Sequence, residues 1–304
     1  MAEHNGSWRS NELGPAKQLR LPQGTLRYHD AGSGPPIVFV HGALVNANLW
    51  RKVVGELAPD FRCIALDLPF GAHAAPMPPQ ADLSPPAAAD LIADAIENLD
   101  LNDVTLVGND TGGAFCQLVV TRRPERIGRL VLTSCDAFDN FPPKVMQPLM
   151  PVLRLPGALT AMLAPFRLEA ARRRALTAMR LVKRPVEPEV SDSFVLPALK
   201  SPAVRRDAGK LMAALDKRHT LEAAKRFEDF DRPALIAFSS EDKFFPRRHA
   251  HRLAELLPQA RLEWIDDSYT FSPLDQPGRL AELIREFAGQ PAPAPTTERE
   301  GSPK

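Results

Sequence analysis

A short glycine-rich segment constrains this chain more than any other part of its sequence. Residues 108–113 read Gly-Asn-Asp-Thr-Gly-Gly, directly after the apolar run at 104–107 and directly before a helical pattern. This order predicts a sharp strand-to-helix turn that projects the Asp110 side chain from the end of a strand. Because a carboxylate is ionised at neutral pH, with a reference pKa of about 3.9, Asp110 is a candidate nucleophile that needs no activating base. A solvated aspartate in a plain glycine-rich turn is the competing interpretation.

Short apolar runs alternate with helical patterns from residue 37 onward, which predicts an α/β fold with a mostly parallel sheet and helices on both faces. The predicted strands occupy residues 25–29 (as an edge strand), 37–40, 63–66, 104–107, 130–133, 235–238 and 262–265. Between residues 137 and 230 the sequence has helical segments and prolines but no convincing strand. We therefore expect a helical lid over the carboxyl ends of the strands, where such folds bind their ligands.

These patterns also divide the chain into segments. The predicted segments are an N-terminal extension (1–19), an α/β core (20–136 and 231–288), a helical lid (137–230) and a C-terminal tail (289–304). The tail is rich in proline and charged or polar residues, so it cannot bury enough apolar surface to order itself. We expect it to be disordered.

Composition narrows the class of ligand. Lys plus Arg (38) nearly cancels Asp plus Glu (37), and a net charge of +1 gives no sign of a nucleic-acid or membrane partner. We expect a small-molecule substrate, no cofactor and no metal, because the three cysteines form no CxxC or Cys/His ligand spacing. No apolar stretch approaches the ~20 residues of a membrane helix, and no secretion signal is evident. Together with three core thiols, this predicts a cytoplasmic protein, and a homodimer is left open.

Three further motifs follow predicted strands, in the order typical of one large fold family. The motifs are His41-Gly42, Asp67-Leu68-Pro69 and Ser240-Glu241-Asp242. With the Asp110 turn, they resemble the α/β-hydrolase fold, and within it the branch of haloalkane dehalogenases and epoxide hydrolases, whose nucleophile is an aspartate. The resemblance covers roughly residues 20–288.

The resemblance implies roles for several residues. The backbone NH groups of Ala43 and Thr111 would form the oxyanion hole, and Asp242 would be the acid that orients a catalytic histidine. Asp136 stands at the alternative acid position that some dehalogenases use. An aspartate that caps a loop at the base of the lid is an equally good explanation for Asp136.

The resemblance fails at the catalytic histidine. Family members have a loop of the type Asp-Ser-Gly-His-Phe and then Asp-Gln-Pro, whereas this chain has Asp-Ser-Tyr-Thr-Phe at 267–271 and Asp-Gln-Pro at 275–277. The matches on both sides place Thr270 at the position of the base, a role that a threonine hydroxyl cannot fill. None of the seven histidines lies near this position. His249 and His251 are expected to face solvent, and His73 is the one outside candidate to reach the pocket.

Two specific activities lack residues that the resemblance implies. Dehalogenases of this branch hold the halide with a Trp after the nucleophile and often an Asn after His-Gly, but this chain has Thr111 and Ala43 there. Epoxide hydrolases polarise the epoxide with lid tyrosines, and the two tyrosines here, Tyr28 and Tyr269, lie outside the predicted lid. Neither halide nor epoxide chemistry is therefore favoured.

Three hypotheses about function follow. In the first, Asp110 attacks an electrophilic carbon of a small apolar or amphipathic molecule, and hydrolysis of the resulting ester stalls because Thr270 is no base. In the second, Asp110 and Asp242 form an acid/base pair, as in a lyase or an isomerase. In the third, the protein binds a ligand without catalysing a reaction.

Overall fold

The computed structural model describes residues 11–155 and 157–289, which contain one eight-stranded sheet. The strands are β1 (Ala16–Leu21), β2 (Gly24–Ala31), β3 (Pro36–Val40), β4 (Arg62–Asp67), β5 (Val104–Asp110), β6 (Ile127–Cys135), β7 (Pro233–Ser239) and β8 (Gln259–Ile265). Their order across the sheet is β1-β2-β4-β3-β5-β6-β7-β8.

Six of the strands run parallel, and only the first two depart from this direction. β1 pairs antiparallel with β2, and β2 pairs antiparallel with β4. The pairs from β4 through β3, β5, β6 and β7 to β8 are all parallel. The carboxyl ends of these six strands therefore share one edge of the sheet, where the segments after β3, β5, β6 and β7 come together.

Helices pack on both faces of the sheet and form the insertion between β6 and β7. The core helices are α1 (Arg51–Leu57), α2 (Pro85–Asn98), α3 (Thr111–Arg122), α10 (Arg247–Leu256), α11 (Ser272–Asp275) and α12 (Pro277–Ala288). The inserted helices are α4 (Met150–Leu153), α5 (Ala158–Leu163), α6 (Glu169–Ala178), α7 (Pro188–Lys200), α8 (Pro202–Ala214) and α9 (Lys217–Ala224). Short 3-10 helices lie at Asn11–Leu13, Ala47–Trp50, Gln147–Leu149, Ala164–Arg167 and Phe227–Asp229.

Side chains of the central strands alternate between two hydrophobic cores, one on each face of the sheet. In β3, Val38 and Val40 pack in the core under α2, α3 and α10, whereas Ile37 and Phe39 pack in the core under α1 and α12. Because both faces are covered, such strands appear in the sequence as continuous apolar runs rather than alternating ones. This is why the runs at 37–40, 63–66, 104–107 and 130–133 predicted strands correctly, and the mostly parallel α/β fold is confirmed.

The edge of the sheet differs from the prediction. Residues 25–29 lie in β2, which is not an edge strand, because β1 pairs with it from Ala16 opposite His29 to Leu21 opposite Gly24. The predicted N-terminal extension ends at residue 19, but β1 begins at Ala16, so the last residues of the extension belong to the sheet. The prediction failed because most side chains of β1 are exposed and its sequence, Ala-Lys-Gln-Leu-Arg-Leu, has no apolar run.

Two other expectations concern the C-terminal tail and membrane-spanning helices. The predicted disordered tail, apart from Gly289, lies outside the described residues. No single helix among residues 11–155 and 157–289 has the length and apolar character to cross a membrane. One pair, Gln147–Leu153 with Ala158–Arg167, meets that test only when taken together, across a bend of 117°.

The three cysteines, Cys63, Cys116 and Cys135, are buried free thiols.

Two glycine substitutions should have opposite effects on stability. A Cβ on Gly112 would lie 2.5 Å from the carbonyl oxygens of Val40 and His41, whereas a Cβ on Gly209, inside α8, would meet nothing within 4 Å. We expect Gly112→Ala to lower the free energy of unfolding by about 1–3 kcal/mol through overpacking. Gly209→Ala should raise it by about 0.5–1 kcal/mol, because alanine favours the helix. Urea unfolding of both variants measures the effects, and equal changes in the two variants would contradict the close approach at Gly112.

Candidate active site

Asp110 lies at the junction of β5 and α3, in a backbone conformation that non-glycine residues rarely adopt. Its φ is 55° and its ψ is −133°, and it is the N-cap residue of α3. A Cβ on Gly108 would lie 2.7 Å from Gly113 Cα and from Cys116 Sγ, so strand and helix approach as closely here as the sequence predicts. Such strain persists only where surrounding structure enforces it, and it commonly marks functional sites.

The Asp110 carboxylate is held by two backbone NH groups, those of Ala43 and Thr111. These are the two groups that the resemblance assigns to the oxyanion hole. Glycine at position 42 allows its loop to approach Asp110 closely, because a Cβ at this position would overlap the carboxylate of Asp110. His41 fixes the loop, since its Nε2 accepts a hydrogen bond from Leu68 N at 2.9 Å. The requirement for glycine at position 42 was missed in the sequence analysis.

Asp242 lies in the loop after β7 and is oriented by its own loop. Its Oδ1 accepts hydrogen bonds from Phe244 N at 2.7 Å and from Phe245 N at 2.8 Å. Thr270 is fully buried, and its hydroxyl donates to the same oxygen at 3.3 Å. The structure therefore brings together Asp242 and Thr270, the two positions expected to hold the acid and the base.

Asp136 follows β6 and contacts the turn that carries Asp110. It is fully buried, its Oδ2 accepts a hydrogen bond from Thr111 Oγ1 at 3.2 Å, and its backbone NH donates to Asp110 O at 3.3 Å. Its other oxygen, Oδ1, has no hydrogen-bond partner among the residues that the structure describes. A loop cap would use its carboxylate on loop NH groups, so this geometry fits the alternative acid position better than the cap.

Asn109 joins the three loops behind the site. Its side-chain amide donates to Thr270 O at 2.9 Å, to Thr133 Oγ1 at 2.8 Å and to Ser134 O at 3.2 Å. It thereby ties the segment before Asp110 to the end of β6 and to the loop after β8. This role of Asn109 was not predicted, because the sequence shows only an amide side chain at the end of a buried strand.

Three carboxyl groups thus share one desolvated region. Burial raises the pKa of Asp110 to about 7, and the charge of Asp242 adds to the rise, while the NH groups of Thr111 and Ala43 oppose it. Burial, with the charges of Asp110 and Asp242, holds the pKa of Asp136 well above its usual range. Burial also raises the pKa of Asp242. Within the described part of the chain, no lysine, arginine or histidine forms an ion pair with any of the three.

The three histidines that the sequence singles out, His73, His249 and His251, form no hydrogen bond with this cluster. His73, the outside candidate, is buried with Nε2 3.2 Å from Asp207 Oδ2 on α8, and its Nδ1 accepts from Gly71 N at 3.4 Å. Nε2 thus links the core to the lid, Nδ1 bonds within its own loop, and neither nitrogen is bonded to Asp110. His251 is exposed as expected, but the expectation for His249 was wrong. His249 is buried, 3.4 Å from Asp139, because α10 packs against the base of the lid.

The acidic cluster does not form a metal site. Among residues 11–155 and 157–289, no group of three or more His, Cys, Asp or Glu residues has an arrangement that could hold a metal ion. The chemistry available to the described residues is therefore that of carboxyl groups, hydroxyls and backbone NH groups.

Replacement of Asp110 should stabilise the protein in a pH-dependent way. The folded-state pKa of Asp110 is raised to about 7 from 3.8, so folding is favoured by its proton below pH ~4 and loses that contribution as the pH rises to ~7. Asp110→Asn cannot ionise, and its stability advantage over the wild type should grow from pH 4 to pH 8. Each unit of pKa shift corresponds to about 1.4 kcal/mol, so the gain should be on the order of 1–4 kcal/mol. Thermal unfolding at both pH values, with the exposed Asp266→Asn as a control, measures it; the same advantage at both pH values would contradict the shift.

Comparison with known proteins agrees with this geometry. The α/β hydrolase fold family matches residues 35–277. An uncharacterized protein of Mycobacterium tuberculosis is 30% identical over 296 residues, which cover 92% of this chain and 83% of that protein. A haloalkane dehalogenase of Mesorhizobium japonicum is 35% identical over 112 residues, 36% of this chain and 35% of the dehalogenase.

A solved structure of epoxide hydrolase CorEH superimposes with a TM-score of 0.76 at 21% identity, covering 90% of this chain and 98% of that one. At that identity the likeness shows the fold. The family match spans most of the sequence. This chain therefore belongs to the α/β-hydrolase fold family.

Proposed function

We propose that Asp110 is a nucleophile that attacks an electrophilic carbon of a small apolar or amphipathic molecule, and that the covalent product is released slowly. The observation that carries the proposal is the pair of NH groups, from Ala43 and Thr111, that hold the Asp110 carboxylate. They fix the direction of the carboxylate before the substrate arrives, which removes part of the entropic cost of attack. They also remain in place to stabilise negative charge on the same group later in the reaction.

The first step needs only what this site contains. An oxygen of ionised Asp110 forms a bond to the substrate carbon, and the leaving group departs with the electron pair of its bond to that carbon. The product is an ester of Asp110, whose carbonyl oxygen can accept hydrogen bonds from the two NH groups. Since only the ionised carboxylate attacks, the pKa of about 7 makes this step sensitive to pH near neutrality.

The second step needs a base, and the residue at the usual position of that base, Thr270, is not one. Water must lose a proton as it attacks the ester carbon, and a positioned base usually contributes about 10²–10⁴-fold to such a step. Thr270 stands at that position and donates its hydroxyl hydrogen to Asp242 rather than accepting a proton from water. The ester should therefore accumulate.

The apolar residues of the lid and the positions of the tyrosines bear on the class of substrate. Four apolar lid residues, Met150, Leu153, Leu159 and Leu163, pack in the hydrophobic cores and so do not define a pocket. Tyr28 lies in β2 and Tyr269 in the loop after β8, so the described lid offers no tyrosine to polarise an epoxide. We therefore propose an activated carbon electrophile in general, without preference for a halide or an epoxide.

A second function is favoured by one specific observation, the raised pKa values of the acidic cluster. A carboxyl group with a pKa of about 7, close to Asp242 with its own raised pKa, suits general acid/base catalysis in a lyase or an isomerase. In that case Asp110 would exchange protons with the substrate and would form no ester. A protein that only binds a ligand would instead keep its affinity after Asp110→Asn, whereas both catalytic proposals require this substitution to abolish activity.

Covalent labelling tests the nucleophile directly. After incubation with 1-bromobutane or styrene oxide, intact mass spectrometry should show one adduct per chain, located on Asp110 by peptide mapping. The rate of labelling should rise with pH and level off above pH ~7, because ionisation of Asp110 supplies the nucleophile. Asp110→Asn should remain unlabelled. If neither reagent adds mass at any pH, the nucleophile proposal is wrong and the acid/base alternative gains support.

Restoring the imidazole tests the stalled second step. Thr270→His should convert a single labelling event into repeated turnover, with hydrolysis of the ester faster by about 10²–10⁴-fold. Thr270→Asn is the matched control, since its side chain is similar in shape to part of histidine but has no basic nitrogen. Product release is measured per enzyme by chromatography, alongside thermal unfolding to verify folding. Rapid turnover by the wild type would refute the absence of an effective base.

A further inference from the structure

The first half of the lid carries a stripe of exposed apolar side chains. Val145 is 66% exposed, Leu149 38%, Val152 49% and Leu155 61%. We call these four residues the outer stripe. Leu149, Val152 and Leu155 are spaced three residues apart along the helical turns around Gln147–Leu153, so they follow one side of this segment.

The opposite side of the same segment is already packed. Met150 and Leu153 are buried, and they belong to the hydrophobic core that also contains Leu211 and Met212 of α8. The outer stripe is therefore not needed to hold the segment onto the lid. Exposed apolar side chains grouped in this way commonly mark an interaction surface.

Charge is distributed unevenly around the stripe. Residues 144–174 contain six lysines or arginines and one acidic residue, Glu169, although the whole chain has a net charge of only +1. Lys144 pairs with Asp139, Arg173 pairs with Glu169, and Arg172 pairs with Asp192. The exposed Arg154, Arg167 and Arg174 form no ion pair with any residue in the described ranges.

The segment is also as apolar as a membrane-embedded one. Gln147–Leu153 and Ala158–Arg167 together have the length and hydropathy of a membrane span, but they meet at a bend of 117°. Much of this hydropathy comes from the buried Met150, Leu153, Leu159 and Leu163. On a bilayer surface, the side chains of the outer stripe would therefore lie among the acyl chains and the cationic side chains at the headgroups.

From these observations we propose that the outer stripe binds the surface of an anionic lipid bilayer. The apolar side chains would insert below the headgroups, and Arg154, Arg167 and Arg174 would contact lipid phosphates or carboxylates. The overall charge gave no sign of a membrane partner because the positive charge of this segment is cancelled elsewhere in the chain. A second copy of the chain is a poorer occupant, since a twofold interface would bring the same cationic segment against itself.

Vesicle co-sedimentation tests the proposal. The wild type should pellet with vesicles of phosphatidylcholine and phosphatidylglycerol at low salt. Binding should be at least tenfold weaker to pure phosphatidylcholine, and it should fall as salt screens the arginines. Leu149→Ser/Val152→Ser/Leu155→Ser should bind at least tenfold more weakly than the wild type. Arg154→Gln/Arg167→Gln should lose about fivefold per arginine.

Matched controls separate lipid binding from general effects. Leu256→Ser and Arg248→Gln change an exposed apolar and an exposed basic residue of α10, and they should bind vesicles as the wild type does. Asp110→Asn should also bind normally, because the stripe acts independently of the candidate nucleophile. Thermal unfolding verifies that each variant folds, and the arginine variant keeps the test decisive if the triple variant does not.

Three outcomes would overturn the proposal. The first is no sedimentation with any vesicle, and the second is equal binding to neutral and anionic vesicles. The third is a dimer in sedimentation velocity that the triple serine variant converts to a monomer, which would assign the stripe to contact between copies of the chain.

Discussion

The candidate active site depends on one constraint, the grouping of the buried Asp136 with the half-buried Asp110 and Asp242, none of which forms an ion pair with a cationic side chain of the described residues. Asp110, Asp136 and Asp242 come from three parallel strands whose ends meet at one edge of the sheet. Desolvation raises the pKa values of all three, and the charges of neighbouring carboxylates add to the rise for Asp110 and Asp136. The fold supplies the few groups that oppose this cost, which are the backbone NH groups at Ala43 and Thr111 and those that hold Asp242.

Because Thr270 stands where the family has a histidine, the two acid positions, Asp242 and Asp136, have no imidazole beside them. In a triad, the acid orients a neutral imidazole and stabilises the imidazolium that forms when the imidazole takes a proton. Here Thr270 gives Asp242 a hydrogen bond but no charge, while Asp136 remains as a second acid with an oxygen that no described residue satisfies. Under the proposed function, the site has the groups that the first, covalent step requires, and its two acid positions have no imidazole to orient.

The sequence predicted the parts of this arrangement that local patterns encode. Continuous apolar runs identified the doubly covered strands, and the motifs around 267–277 placed Thr270 correctly beside Asp242. The surroundings of the other residues depend on contacts between parts of the chain that are far apart in the sequence. Asn109 acquires its role only when Thr133 and Thr270 are brought to it, and His249 lies in a polar stretch that a lid contact buries. β1 escaped notice because an exposed strand needs no apolar pattern.

That exposed strand has a consequence for assembly. Among the residues that the structure describes, no strand pairs with the outer side of β1, which carries Lys17 and Arg20, while β8 at the far side of the sheet carries Arg261 and Glu263. Charged side chains on outer strands discourage another chain from adding to a sheet, which is the first step towards aggregation. If two molecules of this protein associate, continuation of the sheet from one to the other is disfavoured, and association is left to the helical surfaces.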